Sequence, residues 1–167
     1  AAKAPVGARE IPLARARFAA IQGRNDDVVA LLANVDDPGA RWLEANALAR
    51  AFRHPAGRAA AERLVQGAPD DRRALALLAR MRGLTGDHAG ALAAADRLLA
   101  IDPQHDGGLY QRYLALRALK RPAGQVADAE DVWLRHRRHD ELDRALRDGY
   151  RRVRPGDRAM DTPVGPD

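Results

Sequence analysis

Apolar residues in this chain recur every three or four positions, as in Leu75, Leu78 and Ala79 or Ala91, Ala95 and Leu98. Sustained apolar–polar alternation of the strand type is not seen, and Arg or Asp interrupts every apolar run. That pattern predicts helices that each bury one stripe and solvate the rest. Clusters of Gly and Pro punctuate it. Four of them read as tight turns inside helix pairs: Gly23-Arg24-Asn25-Asp26, Arg53-His54-Pro55-Ala56-Gly57, Thr85-Gly86-Asp87 and Arg121-Pro122-Ala123-Gly124. Their markers Asn25, Pro55, Gly86 and Pro122 are 30, 31 and 36 residues apart, close to the ~34 residues of a two-helix repeat.

Looser turns interleave with these at Asp36-Asp37-Pro38-Gly39, at Gly67-Ala68-Pro69-Asp70-Asp71, and from Ile101-Asp102-Pro103 through Gly107-Gly108. Each joins a Pro that ends one helix to an Asp able to cap the next by accepting a hydrogen bond from a first-turn amide. Eight helices in four pairs follow, with a ninth from about Glu141 to Arg154. The turns His54-Pro55-Ala56-Gly57 and Arg121-Pro122-Ala123-Gly124 also share residues 67 positions apart, as internal duplication would leave them.

Composition narrows the packing. The apolar share is 46%, but it is mostly Ala and Leu, with two Phe, three Tyr and two Trp, so cores must be closed by near approach of backbones. With 167 residues and no Cys, the chain can hold a core without disulfides, and thiolate zinc sites and cysteine nucleophiles are excluded. Lys3 and Lys120 are the only lysines against many Arg, a bias that fits a GC-rich bacterial genome. No stretch approaches the roughly 20 uninterrupted apolar residues of a membrane-spanning helix. The chain opens on Ala1 without an initiator Met, as a processed product or an excised fragment would, and periplasm and cytosol both stay open.

The segment Leu75 to Pro103 resembles a tetratricopeptide repeat (TPR). The W-x2-L-G-x2-Y, A-x3-F, P skeleton is followed by Leu75, Leu78, Ala79 and Arg82, then Ala91 and Ala95, then Pro103. Trp42, Ala45, Asn46 and Ala49 with Ala61, Leu64, Val65 and Pro69 fit a second unit. Leu109, Tyr113 and Leu116 with Val126, Ala129 and Trp133 fit a fourth, and Leu13, Ala16, Val28 and Leu32 a first. The resemblance implies an all-α fold, a right-handed superhelical stack of about four antiparallel helix pairs plus a C-terminal helix, over residues 10–154. Residues 1–9 are expected to be a flexible N-terminus and 155–167 a Pro/Gly-rich tail or linker. A helical repeat of another type is the alternative.

In the family that chain resembles, the first helix of each pair lines a concave groove that receives a peptide or a partner helix. The resemblance places Arg17, Arg50, Arg73, Arg80, Tyr110, Leu114 and Arg117 near that surface. Such a stripe suits acidic side chains or a free terminal carboxylate, which guanidinium grips by bidentate hydrogen bonds. The expected function is a non-catalytic protein- or peptide-binding scaffold that needs no cofactor. An accessory module of a larger bacterial enzyme or envelope assembly is one alternative. Nucleic-acid binding through the Arg-rich segment 135–154, which carries much of the net charge of +5, is another. Its interspersed Asp140, Glu141, Asp143 and Asp148 favour intrahelical ion pairs instead. No phosphate loop, G-x-S-x-G elbow or H-E-x-x-H pattern occurs, and His136 with His139 at i and i+3 makes too small a ligand set for a metal.

Overall fold

The computed structural model describes residues 7–152, with side chains from Ile11 to Leu142 and at Arg144. The helices are α1 (Gly7–Ile21), α2 (Asn25–Leu32), α3 (Pro38–Arg50), α4 (His54–Gly67), α5 (Arg72–Leu84), α6 (His88–Ile101), α7 (Asp106–Ala118) and α8 (Ala123–Arg152). No strand occurs among the described residues. The expected all-α stack of antiparallel pairs is what forms, and every turn falls where Gly and Pro mark it.

The four hairpin turns repeat one piece of backbone. In each, an amide bonds back to the carbonyl five residues earlier: Arg24 to Ala19 at 2.9 Å, Arg53 to Leu48 at 3.0 Å, Asp87 to Arg82 at 2.9 Å and Arg121 to Leu116 at 3.1 Å. This closure requires a left-handed residue just before the donor. Those residues are Gly23 (φ 74°), Phe52 (58°), Gly86 (83°) and Lys120 (52°). Phe52, Gly86 and Lys120 stand 34 residues apart, and Gly23 precedes Phe52 by 29. Two of the four thus use a residue with a Cβ where glycine is easier.

Caps start the helices that follow the looser turns. The Asp37 carboxylate accepts from Ala40 N at 3.0 Å, and that of Asp71 accepts from Arg73 N at 2.7 Å and Ala74 N at 3.2 Å. At α7 the cap is His105, whose Nδ1 accepts from Gly108 N at 3.2 Å. An Asp was expected to cap here; of the two in this turn, Asp106 is the first residue of α7 and Asp102 receives Arg72 Nη1 at 3.1 Å.

Adjacent helices pack in chain order, and α1–α3, α3–α5 and α5–α7 also touch, whereas no two even-numbered helices do among the described residues. The odd helices therefore form the inner wall and the even ones the outer rim. Burial is spread along the row: Ala16, Val28, Leu32, Ala40 and Ala47 join the first three helices, and Ala61, Val65, Leu75, Leu78, Ala95 and Leu98 join α4, α5 and α6. Ala79 and Ala91 are fully covered where α5 and α6 cross, so small side chains set the close approach.

Two boundaries differ from expectation. α1 reaches back to Gly7, with Pro12 inside it, so part of the expected flexible 1–9 is helical. The separate helix expected from Glu141 to Arg154 is the continuation of α8, which runs unbroken to Arg152. Between Gln125 and Asp148 there is neither Gly nor Pro to stop it. The expected tail 155–167 lies outside the described residues.

Candidate functional site

The inner wall carries two adjoining cavities that share Arg80 and Gln111. One, of about 560 Å³, lies between α5, the start of α6 and α7, and is lined by Arg80, Leu84, His88, Tyr110, Leu114 and Arg117. The other, of about 320 Å³, spans α3, α5 and the start of α7, and is lined by Trp42, Asn46, Arg73, Leu77, His105 and Gln111. Five of the seven residues placed on this surface from the sequence therefore come together: Arg73, Arg80, Tyr110, Leu114 and Arg117. Arg17 and Arg50 are exposed on α1 and α3 but line neither cavity.

Aromatic rings give the groove its floor. The Arg73 guanidinium lies 5.8 Å from the centre of the Trp42 ring, a cation–π contact that holds the charge above an apolar face. At the other end Tyr110 tilts against Trp133 of α8 at 4.7 Å, and Trp133 stacks on the buried Tyr113 at 5.9 Å. Tyr113 Oη accepts from Arg117 Nη1 at 3.2 Å, and this bond pushes the already high pKa of that guanidinium further up.

The electrostatic feature of the groove is unbalanced charge. Away from the groove several arginines are matched: Arg82 and Arg58 share Glu62 and Asp87, Arg53 meets Asp26, Arg72 meets Asp102, and Arg112 meets Asp96, while Arg97 donates to the Pro69 carbonyl and Arg15 and Arg63 have no carboxylate partner among the described residues. Among the described residues, no carboxylate lies within ion-pair distance of Arg17, Arg50, Arg73, Arg80 or Arg117. Positive charge over an apolar and aromatic lining can hold a ligand that offers a hydrophobic side chain and a carboxylate together.

Trp42, Asn46, His105 and Gln111 belong to the groove and were not among the expected site residues. Repeat arithmetic reveals two of them, since Asn46 sits 34 positions before Arg80 and Trp42 sits 68 before Tyr110. Among the described residues, the arginines of the basic half of α8 bond within their own helix: Arg135 pairs with Asp131 at 2.7 Å, Arg137 pairs with Glu141 at 3.6 Å while lying 5.6 Å over Trp133, and Arg138 and Arg144 donate to the carbonyls of Leu134 and Asp140. His136 Nε2 faces Asp140 at 3.7 Å and not a second ligand. Among the described residues, no helix is long and apolar enough to cross a membrane.

The repeated turns, the inner wall of first helices and the groove across them define a TPR-like helical-repeat solenoid. Among solved structures, the chain is similar to MamA, itself a TPR-like repeat protein. A crystal structure of MamA aligns with a TM-score of 0.69 and 16% identity over 83% of this chain and 81% of that one. MamA of AMB-1 aligns at 0.66 with 19% identity over 77% and 78%, and MamA of MSR-1 at 0.65 with 19% over 77% and 74%. No protein-family model and no curated protein matches the chain.

Proposed function

We propose that this chain is a non-catalytic scaffold that holds a protein or peptide along its inner wall, seating an apolar side chain between Tyr110 and Leu114 and carboxylates on Arg73, Arg80 and Arg117. The observation that carries this reading is that Arg73, Arg80 and Arg117, which line the two adjoining cavities, have no carboxylate within ion-pair distance among the described residues, whereas Arg53, Arg58, Arg72, Arg82 and Arg112 each have one. A guanidinium without a carboxylate partner of its own offers its fork of donors to a ligand carboxylate in bidentate geometry, and the apolar wall beside it takes the neighbouring side chain.

Trp42, beneath Arg73, supplies a fluorescence signal for occupancy. The probe is a short synthetic peptide with a Leu or Phe flanked by Asp and ending in a free carboxylate, beside its amidated and Asp→Asn forms. Changing Arg73, Arg80 and Arg117 singly to Glu should weaken binding by about tenfold each, the worth of a charge-assisted hydrogen bond. Leu114→Glu should do the same from the apolar side. Equal binding by the charge-reversed proteins, or affinity indifferent to the peptide's carboxylates, refutes the assignment.

A further inference from the structure

The four left-handed turn residues give an internal register in which the same position can be compared from pair to pair. Moving from Gly23 to Gly86 carries Ile11, Arg15 and Phe18 of α1 onto Ala74, Leu78 and Met81 of α5. The three α5 residues are buried, at 1%, 3% and 0% exposure, while Ile11 and Phe18 are 58% and 59% exposed. What covers the α5 stripe is α4. Ala74 and Leu78 share a core with Ala61 and Val65, and a Cβ on Gly57 would come within 3.1 Å of Met81 Sδ. In the second pair Ala40 and Ala47 are likewise packed under Val28 and Leu32 of α2. The outer stripe of α1 is thus the surface on which the second helix of a preceding pair belongs. A cavity of about 650 Å³ opens there, lined by Arg15, Phe18, Ala19, Ala30 and Leu31. A capping face on a solenoid is polar, and the outer face of α1 shows Ile11 and Phe18.

The opposite end has the complementary gap. α8 is the second helix of the last pair, and Val132 occupies the position of Leu98 in α6. Leu98 is fully buried, packed against Gly108 of α7, where a Cβ would lie 3.2 Å from its Cδ2, whereas Val132 is 43% exposed. Charge tells the same story. Asp96 of α6 pairs with Arg112 of α7 at 2.9 Å. In the internal register Asp96 corresponds to Glu130 of α8 and Arg112 to Arg15 of α1, and neither of these has an ion-pair partner among the described residues. α4 and α6 end 15 residues past their turn, which corresponds to Arg135, so the rest of α8 runs on along its own axis and leaves the stacking face clear.

We infer that the two ends are halves of one interface: copies of this chain stack head to tail, α8 of one seating on α1 and α2 of the next, with Glu130 paired to Arg15. The contact is heterologous, so each copy keeps one free end and assembly continues until it closes or runs short of protein. Arg15, Phe18, Glu130 and Val132 line neither groove cavity, although Glu130 lies near enough to Arg117 to help raise its pKa, and the test below separates the two surfaces.

Sedimentation velocity over micromolar to millimolar concentration tests this. The unaltered chain should grow in mass with concentration. Phe18→Asp and Val132→Arg, both at exposed positions and checked for unchanged melting, should each remain monomeric alone. Mixed in equal amounts they should give a dimer and nothing larger, because each keeps the end the other has lost. Arg15→Glu or Glu130→Arg should weaken association about tenfold, and the two together in one chain should restore it. A monomer at every concentration, a mixture that fails to dimerise, or association abolished by Arg73→Glu with Arg80→Glu would overturn the inference, the last by moving the contact to the groove.

Discussion

Phe52→Gly should stabilise the protein although it removes a large side chain. Phe52 holds φ at 58° to close the turn between α3 and α4, and its ring is 81% exposed, so little burial is lost with it. Left-handed backbone costs a residue bearing a Cβ roughly 1–2 kcal/mol, and glycine's extra freedom in the unfolded chain returns about 0.5–1 of that. A net gain of about 0.5–1 kcal/mol remains, or about 1–4 °C in melting temperature for a domain of this size. The ring makes one edge contact, with His54 at 6.0 Å between centres. Phe52→Ala therefore serves as the control, because it deletes that contact and keeps the strain. Urea and thermal unfolding followed by helical circular dichroism should rank Gly above Phe and Ala no higher than Phe. If Ala matched Gly, the benefit would come from losing the ring, and the strain argument would be wrong.

Three other outcomes follow from the fold and its contacts. Ala91→Arg drives a charged chain into the covered α5–α6 crossing and should destabilise by about 3 kcal/mol or more, seen as a large drop in urea midpoint. Asp87→Ala removes both the cap on Gly90 N at 2.9 Å and the ion pair with Arg58 at 2.9 Å. It should cost about 1–2 kcal/mol, against about 1 for Asp37→Ala, which loses a cap alone. Amides of α8 from His139 to Leu142 should exchange with solvent far faster than those of α5 and α6, since the side chains of these residues are exposed and leave only local bonding to protect them. Equal protection along α8 would mean that its second half is packed against something.

Much of the architecture was legible because Gly, Pro and Asp act locally. Pro38 and Pro55 open α3 and α4 in the first turn, where the expectation for Pro38 was the end of a helix, Asp37, Asp71 and Asp87 cap helices, and Gly23 and Gly86 permit the reversed turn. The phase of the repeat was less legible. Spacings taken from Asn25, Pro55 and Pro122 wander, because these residues mark turns without occupying equivalent places, and neither Phe52 nor Lys120 announces a left-handed conformation. His105 as a cap was hidden because imidazole is a rarer acceptor than carboxylate. In the groove, Arg73, Arg80 and Arg117 were placed by the resemblance to the repeat family, while Trp42 was read only as a position of the repeat pattern, and nothing in the residues alone sets it beneath Arg73. The open ends had no signal in the residues alone. Phe18 and Met81 are equally apolar, and whether either is covered depends on its place in the row.

Among the described residues, the even-numbered helices lean only on odd-numbered ones. Mechanically, that makes the molecule a spine with separate outer leaves, not a closed tube. Widening the gap between α5 and α7 by a fraction of an ångström need break nothing between α6 and α8, but it tilts every pair beyond that point relative to every pair before it. A ligand wedged at Tyr110 and Leu114 would thus act on a lever, and its presence would be felt as a change of pitch at the far end of the row.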